Sequence, residues 1–145
     1  MHAEIHSAGP AETELLATLH GLSFTPQPGE DWSGTAIAEL LQMPGASALL
    51  ATRSDDSTPL GFVIFRTVMD EGEIISLGVV PEARRLGVAS RLLTQTLRLV
   101  AREGVAKMFL EVAVDNQAAL PFYRAHNFVQ IGIRSKYYRR DQNER

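Results

Sequence analysis

The chain has 145 residues, 45% hydrophobic and 21% charged, with a formal net charge of −3. Such a composition reads as an ordinary soluble globular protein, and the length suits a single domain over residues 1–145 with room for a real core. Cysteine is absent, which excludes disulfides, thiolate metal sites and a cysteine nucleophile.

No apolar run approaches the roughly 18 residues of a membrane span. The opening "MHAEIHSAGPAE" has no apolar stretch of the signal-peptide kind, so the cytoplasm is the expected location and no membrane contact is expected. In chain order, Leu15, Leu16, Leu19 and Leu22 recur at helical spacing over residues 12–24. "TPQPGE" is a Pro/Gly loop. Ser33 then caps a second helix carrying Ile37, Leu40 and Leu41. "ASALLATR" and "PLGFVIFRTV" read as strands joined by the "SDDSTP" turn, and "DEGE" turns into the strand "IISLGVV". From Ala89 the positions Ala89, Leu92, Leu93, Leu97 and Val100 form the apolar stripe of a helix ended by Gly104. "KMFLEVAV" is a strand, "NQAALPFYRAH" a helix and "FVQIGIRSKYY" a last strand. Hairpins followed by strand-helix-strand-helix-strand imply an α/β protein, a mixed sheet with helices on both faces.

The modest net charge hides a division. Residues 1–83 carry 2 basic and 12 acidic side chains (net −10), and residues 84–145 carry 12 basic and 5 acidic (net +7). Solvated helix faces account for this, as does a surface with an anion-binding and a cation-binding end. A nucleic-acid binder is usually basic overall, so direct nucleic-acid binding is not expected.

The stretch "VVPEARRLGVASRLL" joins a strand to a helix N-terminus, where the first backbone N–H groups lack intrahelical partners and the helix dipole is positive. Gly87 lets the backbone approach a bulky ligand, and Arg84 and Arg85 add charge. The turn suits a pyrophosphate. It is neither a Walker loop, lacking Gly-Lys-Ser/Thr, nor a Rossmann fingerprint, having one glycine. A lone glycine beside arginines is also ordinary turn chemistry.

Leu77-x-Val79, four residues, then Arg84-x-x-Gly87-x-Ala89 resembles the Arg/Gln-x-x-Gly-x-Gly/Ala signature of the GNAT N-acetyltransferases, in which this turn grips the pyrophosphate of acetyl-CoA. "LEVAVDNQAALPFYRAHNF" resembles the second signature of that family, with Asn116, Phe122, Tyr123 and Phe128 in order. More narrowly, "DWS", "FLEV" and "SKYY" resemble the bacterial branch that acetylates the N-terminal alanine of a ribosomal protein. The resemblance implies a three-layer α/β/α fold, with a mostly antiparallel N-terminal sheet and a CoA-binding β-α-β-α-β half. It also implies cofactor contacts at Leu77, Val79, Arg84, Arg85, Leu86, Gly87, Val88 and Ala89, with the pantetheine arm along residues 75–79. Proteins of this kind carry a further strand after the last hairpin, and "YYRRDQNER" offers nothing apolar to make it. The final strand is therefore expected to be missing, the chain being truncated or its sheet edge covered by a neighbouring molecule.

In "KMFLEVAV" strict alternation puts Phe109, Glu111 and Ala113 on one face, which makes Glu111 the only carboxylate in an apolar strand. A buried carboxylate is paired or functional, and desolvation raises its pKa toward that of a useful base. The resemblance makes Glu111 the general base, directly or through water. Tyr123 at helical spacing fits a core aromatic; the resemblance makes it the general acid for the departing thiolate. Asn116 orients the cofactor or caps a helix, and Arg124 fits a CoA phosphate or a solvated helix face. An α-amine titrating near 7.7–8.0 loses its proton at pH 7 for about 1–1.4 kcal/mol, against about 4.6 kcal/mol for a lysine amine. A single carboxylate base is better matched to the first.

With no cysteine and no Ser-His-Asp arrangement, direct attack of an amine on the thioester in a ternary complex is expected. The four histidines show no ligand spacing, so no metal is expected. Glu30, Asp31, Asp70, Glu71 and Glu73, with the aromatics Phe24, Trp32, Tyr137 and Tyr138, suggest a basic protein N-terminus, such as a ribosomal protein's, as the acceptor. Small amines or lysine are the alternative acceptors, and a non-catalytic acyl-CoA-binding module is the alternative class. A monomer or weak dimer is expected.

Overall fold

The computed structural model describes residues 3–24, 33–112, 119–130 and 136–142, and only the backbone of Phe24, Glu111, Val112, Gln130, Lys136, Tyr137 and Tyr138. Its strands are β1 (Ala3–Ala8), β2 (Ala46–Arg53), β3 (Pro59–Val68), β4 (Glu71–Val79), β5 (Lys107–Val112), β6 (Val129–Gln130) and β7 (Lys136–Asp141). They form one sheet in the order β1-β2-β3-β4-β5-β7-β6. Strands β1 to β4 run as an antiparallel meander, β4 and β5 are parallel, and β7 pairs antiparallel with both β5 and β6. The helices are α1 (Thr13–Phe24), α2 (Gly34–Leu41), α3 (Val88–Arg102) and α4 (Ala119–Ala125).

Helices α1 and α3 cover opposite faces of the sheet. A Cβ placed on Gly61 would meet Leu92 Cδ1 of α3 at 3.3 Å, whereas one on Gly78 would meet Ser23 Cβ of α1 at 2.7 Å. Phe62, one residue beyond Gly61, stacks toward His20 of α1 with ring centroids 6.1 Å apart. The alternation of the pleat thus assigns adjacent residues to different helices, and the three-layer α/β/α arrangement follows.

The amphipathic stripe of α3 is the main anchor on its face. Val88, Leu92, Leu93, Thr96, Leu97 and Val100 are buried, at about 1.5–3 kcal/mol for each large aliphatic side chain removed from water. Thr96 satisfies its hydroxyl by donating to the Leu92 carbonyl at 2.9 Å. Helix α2 begins as its sequence demands: the Ser33 side chain accepts from the Ala36 N–H at 3.1 Å. No helix among the described residues is long and apolar enough to cross a membrane.

The structure departs from the sequence reading in three places. Strand β1 is new. Its "AEIHSA" holds one large apolar residue and lies on the sheet edge, so neither period nor composition announces it. Strand β4 begins at Glu71, so "EGE" belongs to the strand rather than to the preceding turn. The final strand, expected to be missing, is present. "FVQIGIRSKYY" was expected as one strand, but the described residues form β6 at Val129–Gln130 and a polar β7 at Lys136–Asp141. Strand β7 inserts between β5 and β6 and is paired along both edges. Ladder bonds come from the backbone, so a strand paired on both sides tolerates "KYYRRD" without an apolar run.

Candidate active site at a fork between two parallel strands

Strands β4 and β5 pair only over part of their length. Their register runs from Glu71 opposite Lys107 to Ile74 opposite Leu110 and stops there. On the other side of β4, Ile64 faces Ser76 and Phe65 faces Ile74, which leaves Ile75 as an extra, bulged residue. A bulge bends its strand and increases the local twist, and this one sits where β4 and β5 part. Beyond it, Ile75–Val79 retain β3 on one edge, while Glu111 and Val112 of β5 pair with Tyr137 and Lys136 of β7. Among the described residues, an interior strand is thereby left with no strand partner on its second edge past Ile74, and the backbone donors and acceptors of that edge require partners when water is excluded.

Past Val79 the chain makes a short 3₁₀ turn, Pro81–Ala83, and then the turn that leads into α3. Gly87 is the α3 N-cap at φ +81°, and Arg85 is also left-handed at φ +66°. The glycine is needed for its backbone angle, because a Cβ there would meet no atom within 4 Å. A non-glycine residue in this region carries about 1–3 kcal/mol of strain, a cost that concentrates at functional sites. The first α3 bond runs from the Arg91 N–H to the Gly87 carbonyl at 3.1 Å. The N–H groups of Val88, Ala89 and Ser90 precede it and point out of the helix end.

Arg84 is engaged elsewhere. Its Nε donates to the Val79 carbonyl at 3.2 Å and an Nη to the Ser23 carbonyl at 2.6 Å. The guanidinium therefore ties the end of β4 to the last turn of α1. Arg85, Leu86 and Gly87 are exposed at the mouth of the fork, and Ala89 is half-buried beside them.

Helix α4 ends in a Schellman turn. The Phe128 N–H reaches the Tyr123 carbonyl at 3.1 Å, the Asn127 N–H reaches the Arg124 carbonyl at 2.9 Å, and Asn127 takes φ +73°. This turn seats Phe128 in the core and sets the Tyr123 ring edge-on against it, centroids 5.8 Å apart, with Phe122 on the other side at 5.1 Å. Burial pushes the Tyr123 phenol up to about 12, so it is neutral and carries its proton at neutral pH. The end of α4 meets the start of α3 directly, with Ser90 Oγ 3.1 Å from His126 Nε2.

The structure brings together Leu77 and Val79 on the half of β4 past its last β5 pair and residues 84–89 at its end. Tyr123 lies on α4, whose C-terminal end is tied to the start of α3 by the Ser90–His126 contact. Glu111 is the first β5 residue past the last pair with β4, a backbone placement only. Asn116, Glu30, Asp31 and Trp32 lie outside the described residues, and for Phe24, Tyr137 and Tyr138 the backbone alone is described. Arg124 is exposed. Asp70, Glu71 and Glu73, expected beside the cleft, stand at the paired end of β4 instead. Asp70 accepts from the Ala106 N–H at 2.6 Å, and Glu71 is about 26 Å of strand from Val79.

Sequence reasoning missed Ser90, His126 and Ser23. The Ser23 hydroxyl is buried against Gly78 with no hydrogen-bond partner among the described residues. No group of three metal-ligating side chains occurs among the described residues.

Comparison with known proteins agrees with this geometry. Residues 16–128 match the Acetyltransferase (GNAT) family. The ribosomal protein bS18-alanine N-acetyltransferase of Haemophilus ducreyi is 32% identical over 99 residues, 68% of this chain and 68% of that protein. The ribosomal-protein-S18-alanine N-acetyltransferase of Escherichia coli superposes with a TM-score of 0.84 at 18% identity, over 99% of this chain and 96% of the other. The PaiA N-acetyltransferase of Thermoplasma acidophilum, solved in complex with coenzyme A, gives 0.83 at 18% identity, over 97% and 99%. Those two structural likenesses are of fold. The forked sheet, the left-handed turn into α3 and the matched residues 16–128 lead to one assignment: the chain belongs to the GNAT family of N-acetyltransferases.

Proposed function

We propose that this acetyltransferase moves the acetyl group of acetyl-CoA to the N-terminal α-amine of a protein, a ribosomal protein in the first instance, by direct attack in a ternary complex. The observation that carries the reading is the fork. Residues 75–79 offer an open backbone edge of the kind an extended, amide-bearing pantetheine arm can pair with. The edge leads to the unpaired α3 N–H groups, which suit a pyrophosphate. Beside the same half of β4, the buried Ser23 hydroxyl of α1 lies against Gly78 with no hydrogen-bond partner among the described residues.

Acetyl-CoA supplies an activated thioester, and the residues of the chain do the rest. Leu77 and Val79 hold the arm; Val88 and Ala89 with Ser90 hold the phosphates through their N–H groups, and Arg85 adds charge at the exposed turn. Glu111 takes the proton of the attacking amine, directly or through one water. Tyr123 faces the departing sulfur as a hydrogen-bond donor. A phenol pushed up to about 12 loses about 5 kcal/mol in giving its proton outright to a thiolate of pKa near 8.5. Its contribution is stabilisation of that thiolate by a hydrogen bond, with the proton following from solvent.

The α-amine is the favoured acceptor because freeing its lone pair at pH 7 costs about 1–1.4 kcal/mol, within reach of one carboxylate. The likeness to the Haemophilus ducreyi enzyme supports the same choice. The test is mass spectrometry of a peptide panel after incubation with acetyl-CoA. One acetyl group on the α-amine of peptides with ribosomal-protein N-termini is expected. Acetylation confined to lysine side chains or small amines would move the acceptor to the alternative class. Binding of acetyl-CoA with no acetylation of any amine would reduce the protein to a binding module.

A further inference from the structure

Ser90 is the third residue of α3, within the first turn that precedes the first intrahelical hydrogen bond. Its Oγ lies 3.1 Å from Nε2 of His126, a contact between residues 36 positions apart that joins the start of α3 to the end of α4. The half-buried imidazole also packs on the Phe122 ring, centroids 4.9 Å apart, and the backbone carbonyl of His126 accepts from Arg140 Nε of β7 at 2.8 Å.

Among the described residues, the charge that acts on the ring is the Arg140 guanidinium from β7 and its hydrogen-bond partner is the neutral Ser90 hydroxyl from α3. Its own helix carries the neutral Tyr123 and the exposed Arg124. Arg91, next to Ser90, turns away to the Ala3 carbonyl. Burial, and then the Arg140 charge, hold the His126 imidazolium below its ordinary range. In the free protein the ring is thus kept from its proton by surroundings that an anion would reverse.

We propose that His126 makes coenzyme A binding proton-linked, with Ser90 as the relay. The proposal rests on the reading of the α3 N-terminus as the pyrophosphate site. In the free protein neutral Nε2 accepts the Ser90 O–H. When phosphate oxygens settle on the N–H groups of Val88, Ala89 and Ser90, Nε2 takes a proton from solvent and donates to Ser90 Oγ. The Ser90 hydroxyl hydrogen then turns outward to a phosphate oxygen. One N–H bond forms at Nε2 with a proton given up by hydronium or buffer acid, no bond between heavy atoms changes, and a cation is added behind the Ser90 hydroxyl. Binding raises the proton affinity of His126, so by linkage protonation raises the affinity for the ligand. Affinity therefore rises as pH falls from 7.5 to 5.5.

Titration calorimetry with coenzyme A, in two buffers of different ionisation enthalpy, measures the protons taken up. Wild type and His126→Gln are compared, so that titration of the ligand's own phosphate cancels. Wild type should take up more protons at pH 6.5, and its Kd should tighten between pH 7.5 and 5.5 by roughly two- to fivefold more than that of the variant, the usual size of a solvent-screened ion pair. Ser90→Ala should lose most of this difference. Should His126→Gln fail to fold, the pH titration of the His126 ring by NMR in wild type, with and without coenzyme A, gives the same answer as a rise in its midpoint. Equal proton uptake by wild type and His126→Gln, or an unmoved midpoint, overturns the proposal and leaves the cofactor reading standing. No binding of coenzyme A by wild type at any pH overturns both.

Discussion

The two halves of β4 have the same strand neighbour on one side and different fates on the other. Glu71–Ile74 are paired to β5 and sit among buried side chains, including Ile74, Met108 and Leu110. Ile75–Val79, from the bulge onward, have no β5 partner among the described residues, and β5 continues at Glu111 paired with β7 alone. The first half satisfies its backbone internally and contributes stability. The second has no strand partner on its inner edge among the described residues, and on the proposed mechanism that edge receives the cofactor.

Substitutions on the two sides of the bulge should separate these roles. The largest effect is expected on β5. Glu111→Gln keeps the shape and removes the base, so kcat should fall by roughly 10²–10⁴. Calorimetry should find coenzyme A affinity unchanged. Full activity in the variant would remove Glu111 from the mechanism.

At the paired end the effect should be on folding. Leu110 is 2% exposed and belongs to the last β4–β5 pair, so Leu110→Ala should cost about 2–5 kcal/mol in urea unfolding. Leu77→Ala, on the half-buried open side, should cost less stability yet weaken coenzyme A binding. Equal stability losses with equal binding would erase the distinction between the halves.

Gly87→Glu strikes the end of the open half. It places a side chain at φ +81° and an anion where phosphates are expected, so coenzyme A affinity should drop by at least about tenfold. Unchanged affinity would show that the phosphates bind elsewhere.

Much of this arrangement is legible in the sequence because it is local. The apolar stripe of α3, the strands "ASALLATR" and "PLGFVIFRTV" and the Ser33 cap all follow from periodicity or from the capping preference of a single residue. What stayed hidden is tertiary. No residue type marks the bulge at Ile75, which falls immediately after the last β4–β5 pair. Arg84 reads as a phosphate ligand by charge, yet it bonds a carbonyl 61 positions away on α1. Asp70 and Glu71 read as cleft residues because they adjoin a cleft-forming strand, and the direction of that strand carries them to its other end. The Ser90–His126 contact joins two segments that no pattern connects.

The smallest effect is expected away from the fork. Asn127→Gly relieves the left-handed turn after α4, and should raise stability by about 0.5–1 kcal/mol. kcat/KM should not change, because the backbone already holds Tyr123 in place. A loss of activity with gained stability would show that this turn must yield during turnover.

On the proposed mechanism the open half of β4 and the α3 N-terminus together hold acetyl-CoA. Amide hydrogen exchange with and without coenzyme A tests it residue by residue. Slowed exchange is predicted at residues 75–79 and 88–90, with 71–74 and 107–110 unchanged because they are already paired. Unchanged exchange over residues 75–90 at saturating ligand, or protection that appears instead in the groove between β1 and α3 lined by Ile5, Thr94, Gln95 and Arg98, would contradict it.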